Sequence, residues 1–352
     1  MLLDRLGLWP ARAIWLAAPL TTGAALSQTL ESEASTPALI VEIALWLAWF
    51  VVLVAGLTPS PRSLTVVRVM APAAFGACVL VGFSGHWTGT TLLGLGWAAL
   101  FTAVAFLPTV GDVMVNGSAY GSERRMTLRP PAFVLLGPAQ LAWLVIFGGL
   151  VCWAVLLLAE RYVLAAIALV VGAGAVWAGA RILHQLARRW VVFVPAGFVI
   201  HDPLLLVDAI LLRRNEVTRL GPALEGPPPV GATRTGAPTD RSGGTEPEGG
   251  PDHRAADATD RNGFGNGDSR NGSAHNDGGD HAGDGPFQDL SGGALGLALE
   301  VALRSPTPVT VRERGQARNT ELGTIVFTPT LPGAMLREAR IRGLKIASAD
   351  GD

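Results

Sequence analysis

Lysine is almost missing from this chain. Lys345 is the only one, and arginine carries the rest of the positive charge. The bias fits a GC-rich coding sequence and carries no functional weight. Charge of either sign is scarce: charged residues make up 16% of 352 positions, against about 25% in ordinary soluble domains. That deficit excludes a conventional soluble protein. The net charge of −1 gives no general attraction to nucleic acid. Only two cysteines occur, Cys78 and Cys152, both inside apolar runs. With no C-x-x-C pair, neither a disulfide framework nor thiol-based metal or redox chemistry is expected. Each cysteine reads as a small buried apolar residue.

Long apolar runs dominate instead, and mean hydropathy is +0.38. Six segments approach the roughly 20 residues needed to cross a bilayer: about Trp9–Leu26, Ala38–Leu57, Leu64–Phe83, Thr91–Val110, Phe133–Leu158 and Val163–Leu183. Pro10, Arg12, Pro19, Thr21 and Thr22 interrupt the first. It also reads as a signal peptide, with Arg5 and Arg12 as its charged start and Ala25-Leu26-Ser27 as its cleavage site. Arginines fix the expected orientation. Arg5, Arg12, Arg62, Arg68, Arg124, Arg125, Arg129, Arg181, Arg188 and Arg189 fall on one set of loops; Glu31, Glu33, His86, Glu160 and Arg161 fall on the other. Both termini are therefore expected in the cytoplasm, and the chain in the plasma membrane as a multi-pass protein.

Small residues let helices approach in lipid, where apolar side chains gain nothing by burial. Gly94, Gly96, Gly148, Gly149, Gly172, Gly174, Ala178 and Gly179 offer such surfaces. Trp9, Trp46, Trp87 and Trp190 suit an interfacial belt. A transporter needs ionisable groups deep in the bilayer, and the single candidate is Glu42 in "ALIVEIALWL", close enough to its span end to be an interfacial carboxylate. The loop Gly111–Pro131 carries Arg124, Arg125 and Arg129. These either set topology or touch anionic headgroups, at about 1 kcal/mol each. The loop has no His, and its acids are Asp112 and Glu123. No Ser/His/Asp set, carboxylate pair or metal cluster points to catalysis, and no cofactor is implied.

Beyond the last span, "RWVVFVPAGFVIHD" alternates β-branched and aromatic residues around Pro195-Ala196-Gly197, which predicts a β-hairpin. "LLLVDAILLRRNEVTRLGPA" predicts one or two further strands, and "ALGLALEVAL", "PVTVRER" and "GTIVFTP" predict three more. In "TLPGAMLREARIRGL", Thr330 is placed to cap a helix with Pro332 in its first turn, and Leu331, Met335, Leu336 and Ala339 form its apolar face. Between these pieces, residues 223–293 are Gly, Asp, Asn and Pro with 12 acids against 5 arginines, a net −7. Such a composition predicts disorder, since it buries too little apolar surface to offset ordering entropy. The remainder carries −1 − (−7), or +6. His253, His275 and His281 within the segment have no compact ligand spacing.

The stretch "RWVVFVPAGFVIHDPLLLVDAILLRRNEVTRL" resembles the start of bacterial pleckstrin-homology-like domains that follow transmembrane helices. Trp190, Gly197, Phe198, Arg213, Arg214, Val217 and Leu220 carry the likeness, with "ELGTIVFTP" and the terminal helix completing it. It covers about 85 residues once the acidic insertion is removed, and the whole chain resembles uncharacterised actinobacterial-type polytopic membrane proteins. The resemblance implies a small bent antiparallel barrel with a C-terminal capping helix, whose usual role is to bind lipid headgroups or protein segments. Arg213, Arg214 and Arg219 would then face phosphates, although adjacent strand residues point to opposite faces.

The expected architecture is thus an all-α membrane bundle over 1–187, a cytoplasmic sheet domain over 188–222 plus 294–346, and the insertion over 223–293. The expected role is a non-enzymatic interaction or scaffolding module. Its expected partners are the bilayer and either anionic headgroups or another protein, with no nucleic acid. A transporter or channel component is the alternative, and a lipid-acting enzyme stands behind that.

Overall fold

The structure is a computed structural model, described over residues 7–30, 35–223, 287–313 and 316–347. Most of the acidic insertion lies outside these residues. The helical part comprises α1 (Trp9–Leu16), a 3-10 turn (Ala18–Leu20), α2 (Thr22–Leu30), α3 (Thr36–Leu57), α4 (Pro61–Phe83), α5 (Gly89–Ala105), α6 (Pro108–Asn116), α7 (Ala132–Leu136), α8 (Pro138–Leu158) and α9 (Tyr162–Ala187). Among the described residues, four helical stretches are long and apolar enough to span a membrane: α3, α4, α7 with α8, and α9. The pair α5 and α6, bent by 60°, makes up to five. Six spans were expected.

Proline accounts for the difference. The first apolar segment is broken near Pro19 into two short helices, neither of which crosses alone. Indole donors tie it into the bundle: Trp15 Nε1 donates to Trp49 O (2.9 Å), Trp49 Nε1 to Trp15 O (3.0 Å) and Trp97 Nε1 to Ile14 O (2.7 Å). Pro108 starts α6 at the bend, because its ring cannot continue the preceding helix. Hydroxyl caps set the helix starts. Ser35, Ser60 and Thr88 accept from the backbone N–H three residues on.

Glycine sets the α8–α9 seam. A Cβ on Gly149 would lie 3.2 Å from Gly172 Cα, and one on Gly179 would meet Ile146 at 2.9 Å. Gly94 packs likewise on Ala25, whereas Gly96, Gly148 and Gly174 face open space. Only some of the small-residue stripe is therefore a contact surface.

Among the described residues the sheet part has eight strands: β1 (Arg124–Thr127), β2 (Trp190–Val194), β3 (Gly197–His201), β4 (Ile210–Arg213), β5 (Val217–Pro222), β6 (Phe287–Asp289), β7 (Leu299–Glu313) and β8 (Gln316–Phe327). They form two four-stranded sheets, β1-β2-β3-β4 and β5-β7-β8-β6. The predicted hairpin is β2–β3, with Val194 opposite Gly197. A side chain at Gly197 would sit 2.1 Å from Leu212 O, so the turn requires glycine. Period-two burial places Val191, Phe193, Phe198, Ile200, Ile210 and Leu212 in one core with Leu220, Val301, Ile325 and Phe327.

Three features differ from expectation. The first is β1, which comes from the loop between helices and pairs with β2, Thr127 opposite Trp190. The second is β6, which orders residues at the end of the predicted disordered stretch and runs parallel to β8. Third, two predicted strands are one, β7, with a register shift between Ala302 and Thr307 where Pro306 falls, as prolines do at bulges. The last helix, α10 (Pro332–Ile341), buries Met335 and Ala339 as predicted. Its N-cap is Leu331 rather than Thr330, because the Thr330 side chain is engaged elsewhere.

Substituting Gly149 or Gly172 by Leu should force α8 and α9 apart, at about 1–3 kcal/mol for overpacking. Thermal unfolding of the detergent-solubilised protein should show a lowered midpoint for both variants. Gly174→Leu should leave it unchanged.

Candidate functional site

The residues singled out from sequence do not converge. Arg213 and Arg214 are both exposed at the end of β4. The Arg213 amide donates to Glu216 Oε2 (3.0 Å), and Arg214 Nη2 donates to Pro195 O (2.7 Å), pinning the β2–β3 turn. Arg219 is half-buried on β5, in the other sheet. On β1, Arg124 is exposed, while Arg125 is committed to protein groups. Its Nη1 donates to Ser118 Oγ (2.8 Å), its Nη2 pairs with Glu123 (3.4 Å), and its guanidinium lies 5.8 Å from the Trp190 ring. Glu42 is exposed near the start of α3.

Three other groups organise the region where helices meet sheets. The first is Asp112, buried on α6. Its Oδ1 accepts from the Thr127 amide (2.8 Å), from Thr127 Oγ1 and from Thr330 Oγ1 (3.3 Å). The Thr330 amide reaches Thr127 O (3.0 Å). One carboxylate thus gathers α6, β1 and the segment entering α10.

The second is the pair Arg189–Asp202, with side chains 1% and 0% exposed. Arg189 Nε donates to Asp202 Oδ2 (2.9 Å), Nη1 to Arg129 O and Nη2 to Leu290 O (3.2 Å). Removing one partner of such a pair leaves a buried unpaired charge, at about 3–5 kcal/mol. Beside it, His201 stacks on Trp190 with centroids 4.9 Å apart. Burial, Arg188 and Arg125 hold the imidazole below its usual range, against the opposing pull of Asp202.

The third is an open cleft of about 540 Å³ lined by Ser60, Pro61, Arg62, His184, Arg188 and Trp190. The start of α4, the end of α9 and the first residue of β2 meet there. Its volume falls within the range of small-ligand sites, about 300–1,000 Å³. Thr65 Oγ1 and His184 Nδ1 are 2.9 Å apart. Among the described residues, neither Arg62 nor Arg188 has a hydrogen bond or ion pair from its guanidinium.

Arg68 is also placed differently from expectation. It is not a loop residue but lies inside α4, where Nε donates to Ala105 O (3.4 Å) at the end of α5 and the guanidinium lies 5.5 Å from the Phe106 ring. The apolar run Leu64–Phe83 already encloses position 68, and that is the sequence signal for an arginine inside the span. Nothing in spacing links positions 62, 184, 188 and 190.

Among the described residues, no group of three or more His, Cys, Asp or Glu is placed to hold a metal ion. Comparison with protein-family models, curated proteins and solved structures finds no match to this chain. Its apolar helices have the length and composition of a multi-pass membrane protein, and a sheet domain follows them.

Two outcomes are expected. Asp202→Ala should destabilise the sheet region by about 3–5 kcal/mol, read as a lower denaturation midpoint. His201 is held below the ordinary value of about 6.5, so the unfolded chain takes up its proton first, and stability is lost as pH falls below that value. His201→Gln should flatten this slope in denaturation midpoints compared between pH 7.5 and 5.

Proposed function

We propose that this chain is a non-enzymatic membrane-anchored interaction module. Its helices hold a pleckstrin-homology-like domain against the cytoplasmic face of the plasma membrane, where the domain docks a partner. The observation that carries this reading is β1: the loop between helices supplies a strand of the sheet, so the domain is fixed to the bundle rather than tethered. Two four-stranded sheets and a C-terminal helix packed on their core support the pleckstrin-like assignment, from which the parallel β6 departs.

Orientation rests on charge. Arg12, Arg62, Arg124, Arg125, Arg129, Arg188 and Arg189 all lie toward the sheet side, Arg12 through its bond to Gly56 O (2.9 Å) at the end of α3. Arg161 and His86 lie at the opposite helix ends. The excess supports a cytoplasmic sheet domain under the positive-inside rule.

Replacing both cysteines and placing a single one at exposed Ser305 tests the orientation. A membrane-impermeant maleimide should label inside-out vesicles and spare intact cells; the reverse pattern overturns it. For the role, charge reversal at exposed Arg124 and Arg213 should remove cross-linked neighbours of the full chain without changing its membrane insertion. An unchanged set of neighbours refutes the module reading.

A further inference from the structure

We infer that the cleft between α4, α9 and β2 binds a phosphate group, with Arg62 and Arg188 as the recognising side chains. The site belongs to the joint between helices and sheets, so it does not depend on what the sheet domain docks.

Charge makes the first case. Arg62 and Arg188 line one cleft together with His184. Neither has an internal acceptor among the described residues. No carboxylate lines the cleft, and Asp202 and Glu123 are paired with Arg189 and Arg125. Like charges around one cavity repel, and an anion between them replaces repulsion with attraction.

Chemistry and position make the second. Arginine presents paired N–H donors that match phosphate oxygens. The cleft lies where α4 starts and α9 ends, the level at which a bilayer places its headgroups. Trp190 supplies an amphipathic wall, held between the Arg125 guanidinium and the His201 ring, and such rings favour the interface. A phospholipid headgroup reaches the cleft from the bilayer, and inorganic phosphate reaches it from water. By contrast Arg213, Arg214 and Arg219 are spread over the edges of two sheets.

The test uses the full chain in a non-ionic detergent. Phosphatidylglycerol is added and counted by native mass spectrometry, and inorganic phosphate is titrated separately by calorimetry. The expected result is one ligand per chain. Arg62→Gln or Arg188→Gln should each weaken it about fivefold, and the double variant about 20-fold or more. Arg213→Gln combined with Arg214→Gln removes the same charge and should have no effect. Binding of phosphatidylglycerol but not inorganic phosphate supports the site with a lipid occupant, and binding of inorganic phosphate supports it with a soluble one. Should the double variant fail to fold, Arg62→Gln decides the matter, since Arg62 is exposed. Absence of binding by both probes overturns the inference, as does a double variant that binds like the parent or a control that weakens equally.

Discussion

The buried ion pair of Arg189 and Asp202 is the constraint on which the sheet region depends. Taking two charges out of water costs several kcal/mol per ion, and the cost is offset only where hydrogen bonds use the remaining donors. Arg189 meets that demand with Asp202, Arg129 O and Leu290 O. Those acceptors come from the segment after β1, the end of β3 and the segment after β6. Loss of Asp202 would strand a buried charge and loss of either carbonyl a buried donor, so the three segments are held in one arrangement. Arg189 also follows α9 closely, with Ala187 the last helical residue and Trp190 the first of β2. The membrane helix therefore runs into the sheet with almost no linker.

Asp112 repeats the device from the other side. It sits on α6, beyond the bend that follows α5, and accepts from β1 and from Thr330 before α10. Leu128 bridges to Pro329, and Arg129 N donates to Thr328 O (2.8 Å). The backbone that leaves β1 thereby ties the first sheet to the strand–helix junction of the second. The bundle and the sheet domain are thus joined through buried polar contacts as well as through the chain.

Much of this was legible in the sequence where one local signal dominated. Strands β2 to β4 showed themselves by period-two alternation, and the β2–β3 turn by a glycine that no larger residue could replace. Apolar length revealed α3, α4, α8 and α9. Signals failed where tertiary contacts decided the outcome. Arg124-Arg125-Met126-Thr127 looks like a charged loop, and only pairing with β2 makes it a strand. Thr330 has the look of a helix cap, yet Asp112 and Thr127 recruit its hydroxyl. Pro306 and Pro308 look like a strand break, but a shift in register absorbs the first and β7 continues. The cleft was invisible because its arginines meet only after α4 and α9 pack.

The position of β1 along the chain has a consequence for biogenesis. The ribosome makes this strand before α8 and α9, and before every other strand of the sheet. The first sheet cannot be completed until the chain has been threaded out and back again. Were either of those passes to fail, β1 and β2 would emerge in different compartments and the domain would lack its first strand. Correct insertion is thus a precondition for a finished domain, and a topological mistake leaves an unpaired edge open to quality control.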